Sequence, residues 1–539
     1  MSVISLVHKA YGVSLINSER KFVDGLKKPL ITQSRLLKSY LKNNQYTEYG
    51  QCHKFSDVRS IKAYQDIVPI TDYDGLVPWI DRIKKGEKNI LTDEPIFMFE
   101  KSGGSTGANK YIPYTQRLLR EFTRATNPWI KDLYNQYPEM GSSTHYWSIS
   151  PAIKSELKTE AGIPIGFDDD TEYFGQLARW AIQQIMAVPQ SVKGIGNWED
   201  WKKQTALHLL KAETLGLFSV WSPTFLICIA EYVVENCDEL ASELQAGSHG
   251  DRAKLLNSVV IGHGSVNTAG SLEPLWPKLG LISCWTDGES SQYMERLRIY
   301  FPTTPIQGKG LLATEGVVTV PYKQSAKKNG IPSRGAPLAI TSHFLEFSDL
   351  NDENARPKLA HELRLGAVYS PILTTAGGLY RYQLKDAVVC VDKLYKTPCL
   401  SFQGKADRIS DLCGEKLHAK QVESAINKAK EEVGLATVFT MIAPKRTNRR
   451  GYMLFVEANA EDETIAVFTR NVEQNLMQSH HYSYCRNLGQ LDALESQKVN
   501  QGTKTYQGAL LDAGYQLGSI KPSYLEYKLD WTSIFSRGN

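Results

Sequence analysis

The chain has 539 residues, of which 62 are basic, 58 are acidic and 42% are hydrophobic, so we expect an ordinary soluble globular protein with at least two domains. The formal charge of +4 is spread along the chain, which argues against a nucleic-acid partner, and the longest apolar run is too short to span a membrane. The N-terminus has no apolar stretch of signal-peptide length, and the eight cysteines lack paired metal spacing, which predicts a cytoplasmic protein with reduced thiols. A metal at His480, His481 and Cys485 is a less favoured alternative, because that spacing matches no zinc module.

Helical and strand-like patterns alternate along most of the chain. The first 60 residues are predicted to be helical, with Leu36, Leu37, Tyr40 and Leu41 on one apolar face. From about residue 90 to about 400, strand-like runs alternate with helices, which predicts an α/β architecture with a large central sheet. The strand-like runs include Ser258–Gly262, Leu279–Trp285, Thr304–Ile306, Gly316–Pro321, Leu338–Phe347 and Ala387–Val391.

A glycine-rich segment, KSGGSTGANKYIPYT, follows the apolar run Pro95–Phe99 and covers Lys101–Thr115. Backbone N–H groups of such a loop can converge on phosphate oxygens, and Lys110 adds a charge suited to a polyanion. The candidate phosphate-binding residues are Ser102, Gly103, Ser105, Thr106, Gly107 and Lys110. The segment is not a Walker A motif, because Pro113 favours a second extended piece and the next helix is predicted to begin after Thr115. An ordinary glycine- and serine-rich turn is the alternative.

Two further segments carry acidic residues beside predicted strands. Thr314 and Glu315 follow a glycine-rich turn, and a carboxylate at the end of a strand is well placed to hold Mg²⁺ on a nucleotide. In GLYRYQLKD, from Gly378 to Asp386, Asp386 could accept from both ribose hydroxyls and Arg381 could pair with phosphate. The alternatives are a solvated turn glutamate and an edge strand with an alternating face.

Aromatic residues are concentrated around Val220–Leu226 and Trp285–Gly288. Such residues more often belong to the core than to a ligand pocket. Pro223 lies inside a helical pattern and should break the backbone ladder, which suggests a shaped cavity.

The pattern changes near residue 400. A helix around Val422–Val433, a hairpin of Leu435–Ala443 and Gly451–Ala458, and a helix around Ile465–Leu476 predict a small C-terminal α+β domain. We therefore expect a large domain over residues 1–401 and a small domain over residues 402–539. Lys521 lies on a loop framed by glycine and proline, where a solvated lysine is the common outcome.

Taken in this order, the motifs resemble those of the auxin-responsive acyl acid amido synthetases of plants and their bacterial relatives, within the adenylate-forming enzymes. The family's glycine-rich loop resembles KSGGSTGANK, its hydroxyl residue followed by Glu resembles Thr314-Glu315, and its GLYRYRVGD resembles GLYRYQLKD. ISCWTDGESSQYMERLRIYFP, from Ile282, and AGYQLGSIKP, from Ala513, are similar to the bacterial branch. Lys101 and Gly104 differ from the plant loop, and Gln383-Leu384-Lys385 replaces Arg-Val-Gly.

The resemblance implies a large α/β domain of the adenylate-forming type with a small mobile α+β domain, and an ATP-dependent ligase that joins a carboxylic acid to an amino acid through an acyl-adenylate. It implies that the glycine-rich loop, Thr314, Tyr380, Arg381 and Asp386 hold ATP, that Glu315 holds Mg²⁺, and that Lys521 acts in catalysis when the small domain rotates near Asp407. It also implies an acyl pocket at Trp147, Tyr173, Trp221, Thr224, Phe225 and Trp285. A coenzyme A ligase and a nucleotide-binding protein without turnover are the alternatives. No obligatory protein partner is evident.

Overall fold

The computed structural model describes residues 3–103, 109–147, 158–166, 180, 183–195, 197–261, 271–323, 335–352, 354–405, 409–410, 412–413, 415–445, 450–513, 515, 520, 523–527 and 529–536. Contacts divide these residues into two compact units. The first unit contains most of the described residues up to Phe402, and the second contains those from Gln403 onward with the short segment 288–292.

The first unit begins with six helices, as the sequence predicts for the first 60 residues. Leu37, Tyr40 and Leu41 are buried on one face of the third helix, and the side chains of Thr47, Ser60 and Asp72 each accept a backbone N–H at the start of a later helix. The helices are α1 (Val3–Ser14), α2 (Ile16–Lys27), α3 (Pro29–Asn44), α4 (Glu48–Cys52), α5 (Ile61–Ile67) and α6 (Tyr73–Lys84).

The glycine-rich segment is held by an antiparallel hairpin of β1 (Met98–Gly103) and β2 (Asn109–Tyr114), in which Ser102 lies opposite Lys110. The long helix α7 (Gln116–Gln136) follows directly, and Thr115 caps it by accepting from the N–H of Leu118. The second extended segment, here β2, and the Thr115 cap predicted from the sequence are both confirmed.

Four parallel strands form the first sheet of this unit, in the order β3-β4-β5-β6. They are β3 (Thr144–Trp147), β4 (Leu215–Ser219), β5 (Leu281–Cys284) and β6 (Ile306–Gly308). β3, β4 and β5 consist almost wholly of buried residues, as expected for parallel strands that helices cover. The connecting helices are α8 (Trp198–Lys211), α9 (Pro223–Glu235), α10 (Cys237–Ala246), α11 (Gly250–Ile261) and α12 (Met294–Tyr300). Because the strands are parallel, their carboxyl ends lie along one edge of the sheet.

A two-stranded hairpin, β7 (Leu312–Ala313) and β8 (Gly316–Val317), leads into a larger antiparallel sheet. The path of that sheet is β11-β10-β12-β14-β15-β9, and β13 pairs with β12. Its strands are β9 (Ala336–Pro337), β10 (Phe344–Asp349), β11 (Lys358–Leu359), β12 (Val368–Thr374), β13 (Tyr382–Gln383), β14 (Asp386–Leu394) and β15 (Thr397–Lys405). Short 3₁₀ helices cover Phe55–Asp57, Pro138–Ser142, Gln190–Gly194, Glu273–Leu275, Gly288–Tyr293 and Ala360–Glu362.

The second unit has a separate apolar core. Its elements are β16 (Ile409–Ser410), β17 (Leu417–His418), α13 (Ala419–Val433), β18 (Phe439–Pro444), β19 (Tyr452–Glu457), α14 (Asp462–Leu476), α15 (His480–Asn487), β20 (Glu495–Lys498), α16 (Gly502–Asp512) and α17 (Trp531–Ser536). β18 and β19 are antiparallel, and β20 joins β19 in parallel. Val422 and Ile426 of α13 and Phe468 and Val472 of α14 are fully buried in this core. The predicted helix–hairpin–helix pattern is confirmed.

Two local predictions are wrong. Residues 258–261 of the predicted strand Ser258–Gly262 lie at the end of α11, where the apolar run Val259–Ile261 completes a helical turn. Pro223 does not interrupt a helix, because α9 begins at Pro223 and Ser222 caps it; proline at a first helical position costs no hydrogen bond. No helix within the described ranges is both long and apolar enough to cross a lipid bilayer.

Candidate active site

The Thr314–Glu315 pair forms the two-residue turn between β7 and β8. Tyr114, which is fully buried at the end of β2, donates its hydroxyl to the carbonyl of Thr314 at 2.6 Å. Gly316 lets this turn lie close to the core, because a Cβ there would be 3.0 Å from Nε2 of His343. The position of the turn is therefore fixed from two sides.

The carboxylate of Glu315 is 7% exposed, and two neutral hydroxyls donate to it. Thr314 donates to Oε2 at 3.0 Å, and Tyr382 donates to Oε1 at 3.3 Å. Burial, and then the nearby Glu315 carboxylate, raise the pKa of Tyr382, so this phenol stays protonated and acts as a donor. Neither hydroxyl neutralises the carboxylate, which suits an oxygen ligand for a hard cation.

Lys110 connects the glycine-rich segment to this carboxylate. Its Nζ lies 3.5 Å from the hydroxyl of Tyr382 and 5.9 Å from the ring centre of Tyr73. The structure thus brings together Lys110 of the first motif, Glu315 of the second and Tyr382 of the third. Ser105, Thr106 and Gly107 lie outside the described residues, and Ser102 and Gly103 are described by their backbone alone.

Asp386, the last residue of the third motif, begins β14 and is 2% exposed. The preceding Lys385 has a left-handed backbone with φ of 57° and pairs with Asp72 at 2.9 Å. That hydrogen bond lowers the pKa of Asp72. Asp386 is thus an enclosed carboxylate four residues beyond Tyr382, and its contact with ribose stays a prediction.

The phosphate contact expected of Arg381 needs correction, because its guanidinium is committed to protein groups. Nε and Nη2 each donate to a carboxylate oxygen of Glu346 at 3.1 Å, and Nη1 donates to the carbonyls of Gln65 at 2.9 Å and Val68 at 2.7 Å. Arg381 is 4% exposed and Glu346 is fully buried. The arginine joins the segment around α5 to β10, which is a structural role.

Tyr380 is likewise a core residue, so its predicted contact with the nucleotide needs the same correction. The side chain is fully buried, donates to the carbonyl of Leu91 at 2.8 Å and stacks on Tyr49 with ring centres 5.0 Å apart. Tyr382, two residues further on, reaches the site instead. The motif therefore contributes its second tyrosine to the site and its first to the core.

A tryptophan cluster occupies the carboxyl ends of the parallel strands. Trp147 ends β3, Trp221 follows β4 and Trp285 follows β5. The rings of Trp221 and Trp285 are 5.8 Å apart, and Lys309, directly after β6, places its Nζ 5.8 Å from the ring of Trp147 and 5.2 Å from that of Trp221. Three of the predicted acyl-pocket residues thus lie at one edge of the sheet.

The other predicted pocket residues differ from these three. Phe225 is 1% exposed and packs against Tyr146 and Trp201 in the core. Thr224 shares a hydrogen bond of 2.6 Å with Ser222 in the first turn of α9, which is a helix-capping contact. Tyr173 lies outside the described residues.

In the second unit, Cys413, Glu415 and Cys485 bring possible ligand atoms within 4.8 Å of one another. The Glu415 carboxylate already accepts from the hydroxyl of Tyr452 at 2.5 Å and from the N–H groups of Leu412 and Cys413. Burial raises the pKa of Cys413 to about 12, which disfavours the thiolate that a metal needs. This cluster is structural, and neither His480 nor His481 belongs to it. Lys521 lies outside the described residues.

Sequence reasoning did not assign a role to Tyr382 or Lys309. Tyr382 belongs to the same motif as Tyr380, and nothing in the spacing of the motif distinguishes the two tyrosines. Lys309 follows the predicted strand Thr304–Ile306, so the rule that ligands gather beyond the carboxyl ends of parallel strands could have found it.

Comparison with known proteins adds a family to this geometry. Three family profiles match the chain in order: the GH3 family N-terminal domain over residues 18–306, the central domain over residues 336–405 and the C-terminal domain over residues 420–525.

Two curated relatives, both from Arabidopsis thaliana, are matched over most of their length. Indole-3-acetic acid-amido synthetase GH3.10 is 23% identical over 87% of this chain and 88% of the relative. The 4-substituted benzoates-glutamate ligase GH3.12 is 22% identical over the same shares. Among solved structures, AtGH3.15 acyl acid amido synthetase in complex with 2,4-DB superposes with a TM-score of 0.83 at 17% identity, covering 98% of this chain and 96% of that chain. The predicted fold class is confirmed by this likeness.

Proposed function

Because the chain belongs to the GH3 family, we propose that it is an ATP-dependent acyl acid amido synthetase, which activates a carboxylic acid as its acyl-adenylate and transfers the acyl group to an amino acid or another amine. The substrates are ATP, a small carboxylic acid and the amine, and the products are the amide, AMP and pyrophosphate. The names of two plant relatives, an amido synthetase and a benzoate–glutamate ligase, support this choice over a thioester-forming enzyme. The resemblance to the bacterial branch stays a prediction.

The observation that carries the proposal is the contact series from Lys110 through Tyr382 to Glu315, at 3.5 Å and 3.3 Å. These residues come from β2, β13 and the β7–β8 turn, which are far apart in the sequence. A cation and a carboxylate on either side of a protonated phenol provide opposite charges within one site. A nucleotide with bound metal needs both, since its phosphates attract the cation and its metal attracts the carboxylate.

In the first step, a carboxylate oxygen of the acid attacks the α-phosphorus of ATP, and the bond to the pyrophosphate oxygen breaks. Two anions must meet, so catalysis rests mainly on positioning and charge neutralisation. Lys110 would offset phosphate charge, while Ser102, Gly103, Ser105, Thr106 and Gly107 would supply hydroxyl and backbone N–H donors by resemblance. Asp386 would accept from the ribose hydroxyls.

Mg²⁺ is the metal that the family resemblance implies, and Glu315 fits it. The carboxylate is enclosed, it is a hard oxygen ligand, and the two groups that donate to it are neutral hydroxyls, so its negative charge remains available. When bound, Mg²⁺ would neutralise charge on the pyrophosphate. Thr314 and Tyr382 would orient the carboxylate for that role.

In the second step, the amine nitrogen attacks the carbonyl carbon of the acyl-adenylate, loses a proton and releases AMP. Trp147, Trp221 and Trp285 are proposed to line the acyl pocket, because they lie together at the carboxyl ends of the parallel strands. By resemblance, Lys521 would assist adenylation. All eight cysteines are free thiols, which suits a reducing compartment such as the cytoplasm.

An ATP–pyrophosphate exchange screen over aromatic and aliphatic acids tests this proposal, followed by amino acids and coenzyme A as acceptors for each acid that responds. We expect acid-dependent exchange and an amide product with at least one amino acid. Lys202→Met is a suitable control, because Lys202 lies on α8 and its removal should leave exchange unchanged. Exchange without any acid, or a thioester as the main product, would contradict the proposal.

A further inference from the structure

Three consecutive residues at the start of α6, segment 71–73, contact the first or the third motif of the site. Thr71 comes first and lies beside Tyr382. Its N–H donates to the carbonyl of Arg381 at 3.1 Å, and its carbonyl accepts from the N–H of Gln383 at 2.8 Å. These two backbone hydrogen bonds lie on either side of Tyr382. The chain before α6 therefore fixes the backbone from which Tyr382 reaches Glu315.

Asp72 adds a charged contact with the same motif. Its carboxylate accepts from the N–H of Gly75 at 3.3 Å, which caps α6, and it pairs with Nζ of Lys385 at 2.9 Å. The cap satisfies a backbone donor in the first turn of the helix. A cap and an ion pair on one carboxylate thus join the start of α6 to the third motif.

Tyr73 contacts the first motif through both its hydroxyl and its ring. The hydroxyl accepts from the N–H of Tyr111 at 2.8 Å, and Tyr111 directly follows Lys110 in β2. In the described part of the hairpin β2 pairs with β1 alone, so an N–H that faces away from β1 needs an acceptor from elsewhere. The ring centre lies 5.9 Å from Nζ of Lys110, within the range of a cation–π contact. Tyr73 therefore restrains both the backbone and the side chain of Lys110.

We propose that segment 71–73 is a positioning element, in which Tyr73 places the ammonium of Lys110 for the phosphates of ATP while Thr71 and Asp72 hold the third motif beside it. This inference rests on the proposed function, in which Lys110 binds those phosphates. Tyr73 is a positioning residue, because it acts through Lys110 and needs no contact with the nucleotide. A long lysine side chain loses conformational freedom when it binds a ligand, and a restraint already present in the free protein reduces that cost.

Calorimetry of Mg-ATP binding to the full chain tests the proposal without requiring turnover. Burial raises the pKa of Tyr73, so its hydroxyl is neutral and Tyr73→Phe changes no charge. Tyr73→Phe should weaken binding by about 2-fold to 10-fold, the range of one neutral hydrogen bond. Tyr73→Leu also removes the ring and should weaken binding by about 5-fold to 50-fold.

The sharpest comparison adds each Tyr73 substitution to Lys110→Met. Lys110→Met alone should weaken Mg-ATP binding by about 10-fold to 100-fold, the range of a charge-assisted hydrogen bond. Each double variant should bind no more weakly than Lys110→Met, because the tyrosine acts on the phosphates only through the lysine. A merely structural role of Tyr73 would instead give the same fold loss in both backgrounds.

Tyr369→Phe is the matched control. Tyr369 also accepts a backbone N–H, that of Arg364, at 3.1 Å, and neither residue belongs to a motif of the site. The variant loses the same kind of hydrogen bond and should keep the wild-type affinity for Mg-ATP. Thermal unfolding checks that each variant is folded at the temperature of the measurement, and Tyr73→Phe carries the test if Tyr73→Leu is not folded.

Three results would overturn the proposal: unchanged affinity in the folded Tyr73 variants, unchanged affinity in Lys110→Met, or a further loss when a Tyr73 substitution is added to Lys110→Met. If the coupling between Tyr73 and Lys110 is found but no acid supports pyrophosphate exchange, the positioning role stands and the proposed function fails. Acid-dependent exchange without the coupling has the opposite meaning.

Discussion

Replacing Arg381 with alanine is expected to destabilise the first unit strongly while leaving nucleotide affinity of the folded protein nearly unchanged. The guanidinium is 4% exposed and its partner Glu346 is fully buried. Removing the guanidinium leaves the carboxylate of Glu346 buried, with Nε2 of Gln65 as a remaining donor at 2.8 Å. It also removes the donor to the carbonyls of Gln65 and Val68.

The size of the effect follows from the burial of the pair. Removing one partner of a buried ion pair typically costs about 3–5 kcal/mol, because the other charge stays in the interior without compensation. An exposed pair contributes about 0–1 kcal/mol. Arg356 provides the matched control, because it pairs with Asp66 at 2.9 Å on the same helix α5, with side chains 41% and 60% exposed.

The assay is thermal and urea unfolding of wild type, Arg381→Ala and Arg356→Ala, with ATP affinity measured by calorimetry well below the unfolding midpoint. The double variant Arg381→Met with Glu346→Leu should recover much of the loss, since it removes both charges. A variant Arg381→Ala that is as stable as Arg356→Ala but binds ATP 10-fold to 100-fold more weakly would refute the structural role and restore the phosphate contact.

Four further predictions concern the site and its support. Asp386→Asn should weaken ATP binding by about 1.5–3 kcal/mol in calorimetry, because ribose loses a charged acceptor; unchanged affinity would remove Asp386 from the site. Glu315→Gln should lower acid-dependent pyrophosphate exchange by about 10²-fold or more with a similar melting temperature; a large fall in that temperature would mean a structural role. Burial raises the pKa of Asp132 from 3.8 to about 6. Between pH 3.8 and pH 6 the folded protein therefore keeps a proton on Asp132 that the unfolded chain has lost, and the free energy of unfolding falls as the pH rises through this range. In unfolding curves, the stability of Asp132→Asn relative to wild type should therefore increase from pH 4 to pH 6, by up to about 3 kcal/mol, and stay constant above pH 6. A difference in unfolding free energy that does not change with pH would contradict this. Lys521→Ala should lose acyl-adenylate formation but convert a supplied acyl-adenylate to amide in rapid-quench assays; equal loss in both half-reactions would contradict that role.

Local signals in the sequence predicted much of the fold. Thr115 followed by apolar residues at helical spacing predicts a capped helix, and the structure contains that cap. The same local logic fails at Ser258–Gly262, because a short apolar run looks alike in a buried strand and in the last turn of a helix. The sequence predicts a break at Pro223 because apolar residues lie on both sides of it and do not show where the helix begins; in the structure the helix begins at Pro223 itself.

The site was less predictable, because it depends on contacts between distant segments. Arg381 and Tyr380 share a motif with Asp386, but the burial of Glu346 and the stacking on Tyr49 direct their side chains into the core. The position of Lys309 after a predicted strand is visible in the sequence, but its neighbours come from three strands and a helix, and no local pattern indicates which residues those are. The sequence motifs located the neighbourhood of the site, and only the tertiary contacts separated the residues that reach it from those that support it.

In the proposed reaction, the acid is activated when its carboxylate oxygen forms a bond to the α-phosphorus of ATP. The direct measurement uses an acid that supports exchange, labelled with ¹⁸O in both carboxylate oxygens, with ATP and an amino acid, and mass spectrometry of the products. Attack on the α-phosphorus followed by amide formation transfers one labelled oxygen to AMP and leaves one in the amide, which is the result we predict. Label in inorganic phosphate or pyrophosphate, or AMP without label while the amide accumulates, would contradict adenylation.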